Sequence, residues 1–521
     1  MLKHISRNSI PHPERSLRVS KDINKTQNPL RIVVAASEAV PFAKVGGLGD
    51  VAGILPRVLT EMGHEVKLVM PFYTTKVDLS GYEVRSLLAP MGVPMGGGTT
   101  VWCRVLAVTM PEGYEVWFIE QNDFFGRSGI YDENGQGYWD NGGRFVFFSR
   151  AVLQACQDTG FSPHVIHCHD WMTSAIPAYL KYLMTDDPTL GYTGSLLTIH
   201  NIGGGYQGVG PEGDFMFSGL PWEAYNSRMF ESNGMCNLLK GGIANADLLN
   251  AVSPGFAREI TEPEGGGGLD GFLRDRLHDL HGVLNGVDYD SWNPETDKLI
   301  PANYSHEDMR GKSECKRALQ AQFGLEQNPH VPLFGVVSRM NYQKGLDLIP
   351  EALPAVLERN AQFIILGTGD AALESTFMSL PQQYPGRAAS YIGFSNELAH
   401  QIEAGADVFL MPSRWEPCGL NQLYSLRYGT LPLVRATGGL DDTVENYDPN
   451  SGEGTGFKFW TLDTESLQGT MVWAAQTFWD RHDHFHAMQV RAMQQRFTWE
   501  RAAQQYQQLY EWAIAKRRHW R

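Results

Sequence analysis

From Arg31 onward the chain alternates short, wholly apolar runs with segments whose apolar residues recur every three or four positions. Ile32-Val33-Val34-Ala35-Ala36 reads as a buried strand. A glycine turn follows at Lys44-Val45-Gly46-Gly47-Leu48-Gly49-Asp50. Val51, Ile54, Leu55, Val58, Leu59 and Met62 then fall on one face of a helix. Asp50 is its expected N-cap, Gly63 its expected stop, and Pro56 is expected to kink it. Val66-Lys67-Leu68-Val69-Met70 is the next strand. Strand, turn, helix, strand is the βαβ unit of a parallel sheet.

The pattern recurs at residues 116–119, 164–168, 196–199 and 248–252. A second series begins at Leu333-Phe334-Gly335-Val336-Val337 and continues through residues 363–366, 408–411 and 431–434. Leu346, Ile349, Leu353, Val356 and Leu357 predict a helix between its first two strands. The chain is therefore an α/β protein with two sheets in succession. Residues 1–29 read as a flexible polar tail, 30–288 as the first domain and 289–497 as the second. Residues 498–521 read as a terminal helix, with Trp499, Ala502, Tyr506, Leu509 and Ala513 on one side and a basic end suited to a helix C-terminus.

Composition narrows the function classes. The net charge of −15 gives no general attraction for nucleic acid or anionic lipid, so an anionic ligand needs a local basic pocket. No apolar run reaches the ~18 residues of a membrane span, so neither a membrane nor a nucleic acid is an expected partner. The six cysteines are scattered without a C-x-x-C pair, which argues against zinc and disulfide frameworks and for a reducing compartment. The first 29 residues lack the apolar core of a secretory signal. They read as a disordered tail or as the remnant of a transit peptide, so a bacterial cytoplasm and a plastid both stay open.

Candidate chemistry collects at strand ends, where ligands bind in doubly wound sheets. The Lys44-to-Asp50 turn offers glycines, a helix N-terminus and one cation, a set that serves either structure or an anion. Arg339 and Lys344, in Ser338-Arg339-Met340-Asn341-Tyr342-Gln343-Lys344-Gly345, can pair with a diphosphate. Glu416, in Glu416-Pro417-Cys418-Gly419-Leu420-Asn421, can face positive charge developing at an anomeric carbon. His167-Cys168-His169-Asp170-Trp171 and Thr198-Ile199-His200-Asn201 suit a sugar site better than a metal, because no second ligand pair is spaced for zinc. Ile392-Gly393-Phe394 ends a further strand and can meet a nucleotide. Gly438-Gly439-Leu440 echoes Gly46-Gly47-Leu48, by shared ancestry of two halves or by coincidence.

Taken in order, these motifs resemble the glycogen and starch synthases from Arg31 to the C-terminus. Leu284-Asn285-Gly286-Val287-Asp288, Pro412-Ser413-Arg414 and Thr437-Gly438-Gly439-Leu440 strengthen the likeness. The resemblance implies the GT-B fold, two Rossmann-like domains facing a central cleft, with the terminal helix crossing back to the first. It implies transfer of glucose from ADP-glucose to the non-reducing end of an α-1,4-glucan, with retention and without a metal or other cofactor. On that basis Arg339, Lys344, Gly46, Gly47, Leu420 and Asn421 hold the diphosphate. Asp170, Asn201, Asn285, Cys418 and Gly419 hold the donor glucose, and Phe394 with Gly393 meets the adenine. Glu416, His200, Lys44 and Asp170 form the catalytic set.

Four positions depart from the family pattern. Glycines 203–205 precede Tyr206-Gln207-Gly208, glycines 265–268 follow Thr261-Glu262-Pro263-Glu264, Met172 follows Asp-Trp where a His is frequent, and Tyr424 stands where the wider superfamily carries a second Glu. The two glycine loops keep two other readings in view. One is a related enzyme with UDP-glucose or a small-sugar acceptor; the other is a weakly active glucan-binding or priming protein.

Overall fold

The computed structural model describes Thr26 and residues 28–133, 135–203 and 205–519. Of the expected tail, only Thr26 and residues 28 and 29 lie among the described residues. The chain forms two compact units. The first takes in the described residues up to Leu196, Gly208–Asp247 and those from Tyr510 onward; the second holds Leu197–Gln207 and Leu248–Leu509. Among the described residues no helix is long and apolar enough to cross a membrane.

In the first unit β1 is Arg31–Ala35, α1 Gly47–Glu61, β2 Glu65–Pro71, β3 Val84–Pro94, β4 Thr100–Thr109 and β5 Glu115–Glu120. They are followed by α2 Asn141–Thr159, β6 Val165–His169, α3 Ala175–Tyr182 and β7 Gly194–Ile199, whose last three residues count with the second unit. The strand order β7-β6-β1-β2-β5-β4-β3 is parallel from β6 through β1 and β2 to β5 and antiparallel beyond it. The order reverses between β1 and β6, so the loops after these two strands share the switch point of the sheet. The β3–β4 hairpin has no counterpart in the periodicity, because Pro90 and Gly92 interrupt its apolar run and much of β3 is exposed.

Helix α1 starts at Gly47, three residues ahead of the expected cap. Gly46 is the N-cap, in extended backbone and without a side-chain bond, so Asp50 lies in the first turn. There its carboxylate complements the positive helix end. The stop is as expected: Gly63, at φ 98°, lies just past the C-cap. The helix continues through Pro56.

In the second unit β8 is Leu248–Ala251, α4 Pro254–Glu259, β9 Leu280–Gly282, α5 Arg310–Gln322, β10 Leu333–Met340 and β11 Gln362–Gly369. Next come α6 Ala371–Gln383, β12 Ala388–Ile392, α7 Asn396–Gly405, β13 Val408–Met411, α8 Asn421–Tyr428, β14 Leu431–Arg435, α9 Gly438–Thr443, β15 Phe457–Phe459 and α10 Trp499–His519. The sheet β12-β11-β10-β13-β14-β15 is parallel throughout and reverses between β10 and β13, the Rossmann order. The helix expected across residues 346–357 is broken into Ile349–Ala352 and Pro354–Leu357 behind a 3-10 turn at Leu346–Leu348. Pro354 has no N–H to continue the ladder. The apolar face is still honoured, since Leu346, Ile349, Leu353, Val356 and Leu357 are all buried.

Helix α10 is shared by the two units. In the second, Thr498 just before it bridges to Val287, and Asn250 Nδ2 donates to Tyr506 OH at 3.2 Å. In the first, Tyr510 OH meets His167 Nδ1 at 2.9 Å, and Arg517 Nη2 donates to the Leu180 carbonyl at 2.7 Å.

Tyr424 belongs to a stack in the second unit. The Trp292 ring lies between His400, at 3.8 Å, and Tyr424, at 4.0 Å, nearly parallel to both. The neighbouring Glu403 is buried on α7, where Ser425 Oγ donates to it at 2.7 Å. Burial pushes its carboxyl from 4.5 up to about 8. The folded state therefore holds a proton that the unfolded chain releases near pH 4.5. Stability from this group is full below pH 4.5 and is lost as pH rises to 8, at up to ~1.4 kcal/mol per pH unit. Glu403→Gln is expected to flatten that decline, read from urea unfolding between pH 5 and 8; identical profiles for the two proteins would count against a protonated Glu403.

Candidate active site

In the second unit the chain reversals after β10 and β13 build one cavity of about 190 Å³ at the switch point. Arg339, Lys344, Ser413, Gly419, Leu420 and Asn421 are among its lining residues. Ser338 and Arg339 lie within β10, just before its last residue, Met340. Arg339 is exposed, and among the described residues its side chain makes no ion pair. Asn341 Oδ1 accepts the Lys344 N–H at 3.2 Å and closes the 3-10 turn Tyr342–Lys344. Gly345 follows at φ 63°, so close to β13 that a Cβ there would lie 2.0 Å from the Pro412 carbonyl oxygen. That crowding fixes where Lys344 leaves the backbone.

Lys344 Nζ reaches Glu416 Oε2 at 2.6 Å, and Ser413 Oγ donates to the same oxygen at 2.9 Å. Glu416 is only 5% exposed. The Glu416 carbonyl accepts the Gly439 N–H at 3.1 Å, and Gly438 packs against that same carbonyl. Gly438-Gly439 is thus a floor under the Glu416 segment. Past Gly419, at φ 71°, helix α8 begins with Leu420 at the N-cap and no side chain capping it. Its first-turn N–H groups border the cavity beside two cations, an arrangement made for an anion. Asn421 Nδ2 is turned inward, donating to the Val337 carbonyl at 2.6 Å, so its backbone rather than its amide faces a ligand.

His200 and Asn201 follow β7. Burial lowers the His200 imidazole to about 3, which keeps it neutral at any working pH. Asn201 Oδ1 accepts the N–H groups of Ile202, at 2.8 Å, and Gly203, at 3.2 Å. Asn285 is 5% exposed and its Oδ1 has no hydrogen-bond partner among the described residues. Its backbone holds the Cys418 thiol, which burial pushes up to about 12. Gly393, at φ 147°, and Phe394, 88% exposed, end β12 at the same edge of the sheet as Arg339. The departing glycine loops meet one another: Gln207 Nε2 donates to the carbonyls of Ile202, at 2.9 Å, and Gly267, at 2.8 Å.

In the first unit the loops after β1 and β6 carry the remaining candidates. Lys44 Nζ pairs with Asp50 at 2.7 Å. The buried Glu38 carboxylate accepts the N–H groups of Val45 and, at 2.9 Å, Gly46, and the Tyr131 hydroxyl at 2.8 Å. A Cβ at Gly46 or Gly47 would meet nothing within 4 Å, so the loop itself does not demand glycine there. Open space over two glycines beside a helix N-terminus leaves room for a ligand to reach the backbone. Asp170 is fully buried at φ 56°, a cost for a non-glycine residue of the kind found at functional sites. The His167 and His169 rings lie 4.1 Å apart, tilted by 36°, on one face of β6. Glu38 escaped the sequence reading, and Ser413 and Gly439 stood in its motifs without a role, since none carries a signal beyond its neighbours until the loops are folded.

Residues 31–275 match the starch synthase catalytic domain family, and residues 320–468 match the glycosyl transferases group 1 family. Glycogen synthase 1 of Geobacter metallireducens is 48% identical over 489 residues, covering 94% of this chain and 97% of the relative. Glycogen synthase of Anaeromyxobacter sp. strain Fw109-5 is 45% identical, covering 92% of this chain and 99% of its own. The chain belongs to the glycogen and starch synthase family. It is a glycosyltransferase with the GT-B fold. The catalytic domain of starch synthase IV from Arabidopsis thaliana, bound to ADP and acarbose, aligns with a TM-score of 0.84 at 31% identity, covering 94% of this chain and all of that one. Sucrose-phosphate synthase from Thermosynechococcus elongatus, at 18% identity and a TM-score of 0.57, shares the fold.

Gly345→Ala forces a Cβ into the Pro412 carbonyl at a positive φ. The expected cost is about 2 kcal/mol or more, or roughly 4–8 °C in the melting of the second unit. Calorimetric melting at the wild-type temperature would show that the turn does not depend on glycine.

Proposed function

We propose that this glycosyltransferase moves glucose from ADP-glucose to the non-reducing end of an α-1,4-glucan with retention, and that Glu416, Lys344 and Arg339 are the centre of the chemistry. The carrying observation is the cavity that gathers Arg339, Lys344 and the uncapped start of α8 beside the buried Glu416. The names of the relatives and the ADP held by the Arabidopsis neighbour support the donor and acceptor.

The reaction breaks the bond from the anomeric carbon to the β-phosphate oxygen and forms one to the acceptor hydroxyl oxygen. The hydroxyl proton passes to the leaving phosphate oxygen on the same face. Arg339, Lys344 and the N–H groups of Leu420 and Asn421 take up the charge the diphosphate gains. In the unliganded protein Lys344 neutralises Glu416. A diphosphate competes for Lys344 and leaves the Glu416 carboxylate to face the cationic sugar as the bond opens. A neutral His200 hydrogen-bonds the sugar without adding positive charge beside it. The unfilled Oδ1 of Asn285, with Asn201, Asp170 and the Cys418-Gly419 backbone, holds glucose hydroxyls. The exposed Phe394 ring stacks the adenine beside Gly393. Gly46 and Gly47 keep the diphosphate role, and Lys44 the catalytic role, that the resemblance gives them. Six buried free thiols suit a reducing cytoplasm.

The deciding experiment offers labelled ADP-glucose and UDP-glucose to the purified chain with glycogen or maltose and follows product length and anomeric configuration. Preference for UDP-glucose or for the small acceptor overturns the assignment, and glucan binding without transfer by folded protein points to a binding protein. Glu416→Gln is expected to lower kcat at least ~100-fold while ADP affinity stays within a few-fold; equal losses in both would reduce Glu416 to a binding group. Because fixed cations meet the leaving group, turnover is expected to persist in excess EDTA, and its abolition with recovery on adding a divalent cation would refute that reading.

A further inference from the structure

Lys344 and Ser413 both donate to Oε2 of Glu416, and among the described residues nothing donates to Oε1. The carboxylate thus has one held oxygen and one open oxygen. The two donors differ in kind. Lys344 is a cation on a flexible stem, and it lines the cavity suited to a diphosphate. Ser413 is neutral and only 1% exposed, and its Oγ makes no other hydrogen bond among the described residues.

The backbone leaves Ser413 no freedom to drift. Its own carbonyl accepts Arg435 Nε, from the end of β14, at 2.8 Å. The Pro412 carbonyl before it lies against Gly345. Arg414 after it donates its backbone N–H to the Gln343 carbonyl at 2.8 Å. The Arg414 guanidinium donates to the Tyr342 carbonyl at 2.9 Å and to both Asp347 carboxylate oxygens at 2.7 Å. Residues 412–414 are therefore stapled to the turn that carries Lys344, and the Ser413 hydroxyl is a fixed point between them.

The difference in charge gives that hydroxyl its consequence. A diphosphate that draws Lys344 away takes the positive charge from a buried carboxylate. A buried charge without a partner is costly, and a glutamate without a tether has several rotamers to choose from. Ser413 keeps one donor in place without putting a charge back. We infer that Ser413 is a positioning residue: once Lys344 turns to the diphosphate, its hydroxyl alone holds Oε2 and presents Oε1 to the sugar. That role rests on the proposed roles of Glu416 and Lys344.

The test is a double-substitution cycle on the full chain, read in kcat with ADP-glucose and glycogen and in ADP affinity by calorimetry. Ser413→Ala is expected to lower kcat roughly tenfold, the order of a hydrogen bond to a charged group. It is expected to weaken ADP binding by a similar factor, because bound ADP then leaves Glu416 without a donor. In the Glu416→Gln background the same substitution is expected to change either quantity by less than about twofold, since no charge is left to hold. Ser413→Cys keeps the shape with a weaker donor, is expected to shift both quantities in the same direction, and serves if the alanine variant fails to fold. Losses of equal size with and without the Glu416 carboxylate overturn the proposal, because Ser413 is then scaffold alone. So do wild-type kcat and ADP affinity in folded Ser413→Ala. A chain that transfers no glucose but keeps the coupling of Ser413 to Glu416 in ADP affinity would sink the catalytic reading and leave Ser413 as the tether of Glu416.

Discussion

The second unit is organised by backbone lying directly on backbone. Gly345 sits under the Pro412 carbonyl, and Gly438 and Gly439 sit under Glu416 and Cys418, at separations that no side chain permits. Three chain reversals, after β10, β13 and β14, are thereby held in contact. The consequence is electrostatic. Lys344 and Glu416 come from different reversals and still meet at 2.6 Å, because the peptide planes beneath them have nowhere to go. A site assembled this way is stiff before any ligand arrives, and stiffness is what lets fixed charges act on a transition state without first reorganising.

The two glycine pairs that look alike in sequence use the same residue for different ends. Both open a helix after a strand. Gly438-Gly439 is glycine because its own fold fills the space, whereas Gly46-Gly47 faces emptiness and its loop is pinned from behind by Glu38. One pair is explained by the protein alone. The other asks for something outside it.

Much of this was readable in the sequence, for identifiable reasons. Apolar runs of a parallel sheet are buried on both faces, so β1, β2, β10, β11, β13 and β14 stood out, and the motif residues clustered at their ends as the doubly wound order requires. What failed was local. The half-exposed β3–β4 hairpin has no clean alternation, Pro354 splits an otherwise regular apolar face, and Asp50 lost the cap position to Gly46. Tyr424, notable only as a departure, is spent on a ring stack with Trp292. Glu38 could not be picked from the acidic residues because its partners are two backbone amides and a distant tyrosine hydroxyl.

The division of α10 bears on how the chain is made. Residues near Tyr506 complete the second unit and those from Tyr510 onward complete the first, so both units borrow a piece of one helix. While the ribosome still covers that stretch, β6 lacks the hydroxyl that meets His167, and Asn250 lacks the one that meets its amide. Neither unit can reach its finished state before this helix has emerged, so one segment completes both.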